Sequence, residues 1–211
     1  MGGIFGFVGK GNAFTEVSAG LENLSHRGQE SWGIVCGQRD GSFTEVREVG
    51  SIFQSLPASR SLYGSVGIGE VRYPTSSEAS ARNSQPIVGR FRKEKIAVVH
   101  NGHIPKYKQL VAELGGLFQT ETDTEVILHM IARAEGSDIL EKTENALSRL
   151  GRESAFSLII LHNGTLIAAR DPYGFRPLSI ARRGDEDDYA WAVASETCAF
   201  HGQFEWIADA E

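Results

Sequence analysis

Residues 156–169, FSLIILHNGTLIAA, carry the clearest structural signal in this 211-residue sequence. Two apolar runs, residues 156–161 and 166–169, flank the four residues His162-Asn163-Gly164-Thr165. An Asn-Gly pair between apolar runs predicts a tight turn, because both turn positions need a positive φ that asparagine and glycine accept. The stretch therefore predicts a β-hairpin and, with it, an antiparallel sheet.

Short apolar runs elsewhere in the chain predict further strands. Most are bounded by glycine or polar residues, as expected where a strand gives way to a turn. The runs are residues 4–8, 32–36, 43–49, 66–73, 96–100, 178–181 and 189–194.

Three other stretches have the periodicity of amphipathic helices. The first covers residues 16–24. The second begins at Thr122-Asp123-Thr124-Glu125, which matches the capping-box pattern, and we expect Gly136 to end it. The third covers residues 139–150. Hairpins combined with helices predict an α+β domain of antiparallel sheets covered by helices.

Composition and charge exclude several classes of protein. The chain is 41% hydrophobic and 23% charged, with a net charge of −6. This balance argues against a nucleic-acid partner or an anionic membrane surface, since both favour a basic face. No apolar run approaches the roughly 18 residues of a membrane span, and residues 1–6 do not resemble a signal peptide. We therefore expect a cytoplasmic location.

The two cysteines, Cys36 and Cys198, both lie in apolar runs that resemble strands. We expect both to be buried and reduced, because free cysteine packs as a small apolar residue. The sequence alone leaves a disulfide open. The six histidines are scattered and no metal-type spacing occurs, so no metal site is expected.

Seven short segments are more informative together than singly. They are residues 3–6 (GIFG), 24–30 (LSHRGQE), 69–75 (GEVRYPT), 99–102 (VHNG), 122–126 (TDTEV), 170–178 (RDPYGFRPL) and 195–198 (SETC). In this order they resemble the class II glutamine amidotransferase domain, an N-terminal-nucleophile hydrolase, of amidophosphoribosyltransferases. The resemblance covers residues 1 to about 200. It implies a four-layer αββα sandwich of two antiparallel sheets.

The resemblance implies a site for glutamine. Arg72 matches the arginine that binds the α-carboxylate, for which a planar guanidinium is well suited. Asp123 matches the carboxylate that binds the α-ammonium group, and Tyr73 and Thr75 would shape the same wall. Taken alone, Arg72 would be a surface arginine on a strand and Asp123 a helix N-cap.

Three further residues match the family's reaction centre. The side-chain amide of Asn101 and the backbone N–H of Gly102 match the donors that stabilise the oxyanion. Arg27 matches a residue beside the nucleophile. Taken alone, Asn101-Gly102 would be only a turn. The ordered co-occurrence of the segments favours the functional interpretation.

The nucleophile position departs from the family. There the initiator methionine is removed to expose an N-terminal cysteine, whose thiolate attacks the amide and whose amine is the base. This sequence has Gly2 instead, either by deliberate replacement or in a degenerate gene. Glu70 is a second departure, because relatives more often carry a neutral or imidazole side chain there. Its carboxylate could pair with Arg72 and weaken the hold on glutamine.

The family reaction converts glutamine and water to glutamate and ammonia, which passes to phosphoribosyl pyrophosphate in de novo purine synthesis. No signature of a phosphoribosyltransferase domain occurs, so we expect residues 1–211 to be one amidotransferase domain, isolated or cut from a longer protein. The resemblance implies a phosphoribosyltransferase domain or subunit as partner, a homo-oligomer in full-length form, and no cofactor in this domain. Three hypotheses stay open: an amidotransferase domain disabled at Gly2, a non-catalytic glutamine-binding regulatory module, and a structural subunit.

Overall fold

Two antiparallel sheets lie face to face in the computed structural model, which describes residues 2–38, 40–56, 62–73, 80–91, 94–185, 189–202 and 204–210. The strands are β1 (Gly3–Gly9), β2 (Ser31–Gly37), β3 (Phe43–Val49), β4 (Val66–Arg72), β5 (Ile87–Phe91), β6 (Glu94–His103), β7 (Ala155–His162), β8 (Thr165–Arg170), β9 (Ser179–Arg183), β10 (Ala190–Ala194) and β11 (Glu205–Asp209). The helices are α1 (Ala13–Asn23), α2 (Ile52–Ser55), α3 (Tyr107–Leu114), α4 (Asp123–Arg133) and α5 (Ile139–Leu147).

The predicted hairpin is confirmed. Strands β7 and β8 pair in antiparallel register, with His162 opposite Thr165. Asn163 and Gly164 have φ values of 46° and 77°, the left-handed conformation that such a turn requires. The hairpin forms one edge of a four-stranded sheet with the order β5-β6-β7-β8.

The second sheet has seven strands in the order β11-β9-β10-β1-β4-β2-β3, and all its pairs are antiparallel. Its central strands β1 and β4 face β6 and β7 of the smaller sheet across a layer of buried aliphatic side chains. Helix α1 covers the outer face of the larger sheet, and α4 covers that of the smaller one. The predicted four-layer αββα sandwich is therefore confirmed.

Some elements differ from the sequence prediction. The edge strand β5 was not predicted, because Gly89 and Arg90 interrupt its apolar pattern and only Ile87 is fully buried. Helix α3 was missed because none of its residues is fully buried. Among the described residues, α2 and β11 are two further elements that the pattern did not reveal.

The start of α4 forms only half of the predicted capping box. The hydroxyl of Thr122, the N-cap, accepts a hydrogen bond from the Glu125 amide at 3.4 Å. The carboxylate of Glu125 instead accepts from the amides of Gln119 and Thr120, at 2.7 and 2.6 Å. The helix ends at Arg133, before Gly136. Glu125 thus holds the loop that leads into the helix.

The prediction for the cysteines is right for Cys36 and wrong for Cys198. Cys36 is buried in β2, and burial raises the pKa of its thiol to about 12. Cys198 is exposed, because the chain leaves the sheet after β10 and forms a 3-10 turn, Thr197–Ala199, that directs Ala199 inward. Both thiols are free. No helix of the described residues is long and apolar enough to cross a membrane.

Candidate functional site

A cavity of about 320 Å³ opens where β1, β4, β6 and the start of α4 come together. It brings together most of the residues singled out in the sequence, whereas Thr75 lies outside the described residues. A larger cavity of about 530 Å³ lies between β5 and α4 and contains none of them. The predicted residues that line the smaller cavity are Gly2, Arg72, Tyr73, Asn101, Gly102 and Asp123.

Arg72 is buried at the end of β4, so the alternative of a surface arginine is wrong. Its Nη1 lies 3.3 Å from Oε2 of Glu30, in an ion pair that the sequence did not reveal. A buried guanidinium that keeps a carboxylate partner retains its charge and a fixed position. The arrangement therefore presents a positive group at one wall of the cavity.

Asp123 supplies a negative group at another wall. Its Oδ2 accepts from the amide of Ile104 at 3.0 Å, and its Oδ1 lies 3.4 Å from Nδ1 of His100. Burial opposes ionisation, but His100 and the Ile104 amide hold the pKa of Asp123 below its ordinary value. Asp123 is the first helical residue and Thr122 is the N-cap, so the alternative of Asp123 as an N-cap is wrong.

Residue 2 is fixed by two neighbours from distant segments. The Nε of Arg27 donates to the carbonyl oxygen of Gly2 at 2.9 Å. The hydrogen-bond network orients the Asn101 amide so that its nitrogen donates to the same oxygen at 3.2 Å, while its own oxygen accepts from Arg27 Nη2 at 3.1 Å. Arg27 also pairs with Glu196. Arg27 and Asn101 therefore lie beside residue 2, as their family positions predict.

Asn101 and Gly102 lie inside β6, so the alternative of a simple turn is wrong. A Cβ at residue 102 would lie 2.5 Å from Nε2 of His100 and 2.8 Å from the Cα of Phe156, and it would also meet the carbonyl oxygen of Ala155. Close packing against β7 thus requires glycine at this position.

Glu70 enters the cavity beside residue 2 and is 4% exposed. Burial raises the pKa of its carboxyl group to about 8, against the opposing effect of Arg72, and Asp123 adds to the increase. The side chain of Gln85 joins Glu70 to the backbone of His100, donating to Oε1 of Glu70 at 3.3 Å and to the His100 carbonyl at 3.1 Å. Sequence reasoning missed Gln85, which lies in a stretch without periodicity.

Three side chains outside the cavity form the one group of potential metal ligands found among the described residues. His26, Glu196 and Cys198 place their ligand atoms within 4.8 Å of one another. His26 and Glu196 are 170 positions apart in the sequence, so local spacing could not reveal the group. Glu196 already accepts from His26 at 2.9 Å.

The backbone of Gly28 lies against that of Arg72. A Cβ at residue 28 would lie 2.7 Å from the amide nitrogen of Arg72 and would also meet its carbonyl group. We expect Gly28→Ala to lower the free energy of unfolding by about 1–3 kcal/mol, because backbone must move to admit the methyl group. Urea denaturation measures the change.

A matched control for Gly28 is Gly151→Ala. There the added Cβ would meet only the carboxylate end of Glu153, which is exposed and can move away. Its free energy of unfolding is expected to stay within about 0.5 kcal/mol of the parent. Equal effects of the two substitutions would show that Gly28 has no special packing role.

Comparison with protein families gives a match over residues 74–202 to the family described as "Glutamine amidotransferase domain". Amidophosphoribosyltransferase 3, chloroplastic, of Arabidopsis thaliana is 38% identical over 202 residues, which is 93% of this chain and 37% of that protein. The amidophosphoribosyltransferase of Bacillus subtilis is 37% identical over 204 residues, or 94% of this chain and 41% of that protein. The chain spans less than half the length of these relatives.

A solved structure extends the similarity to three dimensions. It is the glutamine phosphoribosylpyrophosphate amidotransferase of B. subtilis, in complex with ADP and GMP. The TM-score is 0.88 at 35% identity, and the match covers 99% of this chain and 45% of that one.

Proposed function

The chain belongs to the glutamine amidotransferase domain family, and from this premise we propose that it binds glutamine and does not hydrolyse it. The observation that supports the proposal most strongly is the convergence of Arg72, Asp123 and Asn101 on one cavity with Gly2. These groups come from β4, α4, β6 and the chain's beginning, and only the tertiary fold brings them together.

The charges of the cavity complement the backbone groups of a free amino acid. Arg72 would bind the α-carboxylate and Asp123 the α-ammonium group, each through charge-assisted hydrogen bonds. Tyr73 is 54% exposed at the rim and would cover the ligand's α-carbon. The side chain of the ligand would then extend toward Gly2 and Asn101.

Hydrolysis requires a nucleophile that residue 2 does not supply. Glycine has no side-chain atom to attack an amide, and removal of a nucleophile lowers enzymatic rates by about 10⁴–10⁶-fold. The Asn101 amide nitrogen, which would stabilise an oxyanion, donates to the carbonyl oxygen of Gly2. The site therefore supports binding alone. Arg27, Asn101 and Gly102 occupy the positions of the family's reaction centre, although no hydrolysis takes place there.

The relatives suggest a wider setting. They are named amidophosphoribosyltransferases, and one solved relative is described as the allosteric regulatory enzyme of purine biosynthesis. We propose that this domain reports glutamine to a phosphoribosyltransferase domain or subunit in that pathway. A cytoplasmic location and a homo-oligomeric full-length form belong to the same proposal.

Calorimetric titration with L-glutamine tests the binding function. We expect saturable binding by the parent and about 100-fold weaker binding by Arg72→Ala, because the variant leaves the ligand's carboxylate without its guanidinium partner. Mass spectrometry of the ligand after the titration should recover glutamine unchanged.

The control is Arg90→Ala, which removes an exposed arginine of β5 on the rim of the other cavity. It should bind glutamine as the parent does. No heat from the parent, with Arg72→Ala indistinguishable from it, would leave only the structural-subunit hypothesis. Equal and saturable binding by both would show that Arg72 does not hold the ligand.

A further inference from the structure

Glu70 fills the space into which a side chain at residue 2 would extend. A Cβ at residue 2 would lie 2.7 Å from Oε1 of Glu70 and 3.0 Å from the carbonyl oxygen of Val71. A glutamine bound at Arg72 and Asp123 would direct its side-chain amide toward residue 2. The carboxyl group of Glu70 therefore lies where the end of the ligand's side chain arrives.

The protein uses only part of the hydrogen-bonding capacity of Glu70. Oε1 accepts from Gln85 Nε2 at 3.3 Å. Oε2 is buried and has no hydrogen-bond partner among the residues that the structure describes. Buried polar atoms are almost always paired, so Glu70, which lines the cavity, keeps an unused capacity to accept a hydrogen bond from a ligand.

We propose that Glu70 determines the specificity of this site by pairing with the side-chain amide of the bound amino acid, so that a primary amide is selected over a carboxylate or an ester. This inference rests on the proposed function. It adds the residue that recognises the side-chain amide of the ligand.

The chemistry of the two groups is complementary. A primary amide offers two N–H donors and a carbonyl acceptor. A protonated carboxyl group can donate to that carbonyl and accept from one N–H, and an ionised one still accepts from the N–H. A carboxylate or an ester has no N–H, so it loses the bond that the amide N–H donates and can at most accept one hydrogen bond from protonated Glu70. Sites built to hydrogen-bond a ligand group strongly reject analogues that lack it.

The other charged groups of the cavity are not available to pair with the ligand's side-chain amide. Arg72 and Asp123 are the charged side chains that act on Glu70, and the ligand's α-carboxylate and α-ammonium groups would engage them. His100 faces the same cavity and lies against Asp123 through its Nδ1. Among the carboxyl groups that line the cavity, Glu70 is the one that a Cβ at residue 2 would meet.

Calorimetry with three ligands tests the inference on the full chain. L-Glutamine, L-glutamate and L-glutamate γ-methyl ester share their α-groups and differ at the side-chain end. We expect the parent to bind glutamine about tenfold or more tightly than either analogue, as the loss of one hydrogen bond to a buried carboxyl predicts. In Glu70→Gln, whose amide can donate to a carboxylate, glutamate should bind within about threefold of glutamine. Glu205→Gln, on the exposed edge strand β11, should keep the parent's ratios.

Each outcome bears on a different part of the proposal. If the parent binds glutamine, glutamate and the ester equally, or if Glu70→Gln keeps the parent's ratios, Glu70 does not determine specificity and the proposed function stands. If the parent binds none of the three, the proposed function fails and this inference fails with it. The ester comparison needs no variant, so equal binding of glutamine and the ester by the parent would overturn the inference even if Glu70→Gln does not fold.

Discussion

Gly2→Cys alone is expected to leave glutamine hydrolysis at the level of the parent, whereas Gly2→Cys combined with Glu70→Ala should raise it about 100-fold or more. In the single variant the new side chain would meet Glu70 Oε1, 2.7 Å from its Cβ. Glu70 is 4% exposed and accepts a hydrogen bond from Gln85, so its carboxyl group could move away from the sulfur only by giving up that bond. A carboxyl group against the sulfur would also disfavour the thiolate, which is the reactive form.

Ammonia release at saturating glutamine measures this pair of variants, after mass spectrometry has shown that Met1 is removed and the α-amine of the introduced cysteine is free in both. Glu70→Ala with Gly2 retained is the matched control and should stay inactive. If Gly2→Cys alone were as active as the double variant, Glu70 would not obstruct the nucleophile position. If the double variant were inactive although it binds glutamine, the rest of the reaction centre would have changed as well.

Glu70→Gln should stabilise the protein strongly at pH 8 and little at pH 5. Burial raises the folded-state pKa of Glu70 to about 8 from an ordinary value of 4.5. Between these values the unfolded chain releases a proton that the folded protein keeps, so the stability of the parent falls as the pH rises. The loss approaches roughly 5 kcal/mol at most once the pH has passed 8, and the neutral amide avoids it.

Urea denaturation of parent and variant at pH 5 and pH 8 measures the difference. Arg72 opposes the increase in the pKa of Glu70 and Asp123 adds to it, so both are left intact in this comparison. The control Glu205→Gln removes a carboxylate at the surface and should show the same small effect at both pH values. An equal effect of Glu70→Gln at the two pH values would mean that Glu70 ionises normally in the folded state.

Local sequence patterns predicted the layered fold well because they report burial directly. The apolar runs of the central strands are satisfied only by burial in a sheet. The Asn163-Gly164 pair is satisfied by a turn in the left-handed conformation. The elements at the edge and surface were not predicted. Strand β5 and helix α3 bury too few side chains to produce a recognisable apolar pattern. Cys198 was misplaced because its apolar neighbours belong to a turn that follows the strand.

The candidate site could be predicted only where the resemblance supplied the residues. Arg72, Asn101 and Asp123 lie far apart in the sequence, and no spacing rule relates them. The partners that fix their charges, Glu30 for Arg72 and His100 for Asp123, follow from the packing of the sheets. The position of Glu70 against residue 2 likewise follows from the pairing of β1 with β4, in which Gly3 lies opposite Val71.

Nuclear magnetic resonance tests binding and hydrolysis in one sample. Glutamine labelled with ¹⁵N at its side-chain amide is mixed with the parent protein, and the ¹⁵N signals are followed. If the protein binds glutamine without hydrolysing it, the amide signals should shift or broaden as protein is added. No ¹⁵N-ammonium should accumulate over hours. Unchanged amide signals would contradict binding, and a growing ammonium signal would contradict the assignment of Gly2 as the reason for inactivity.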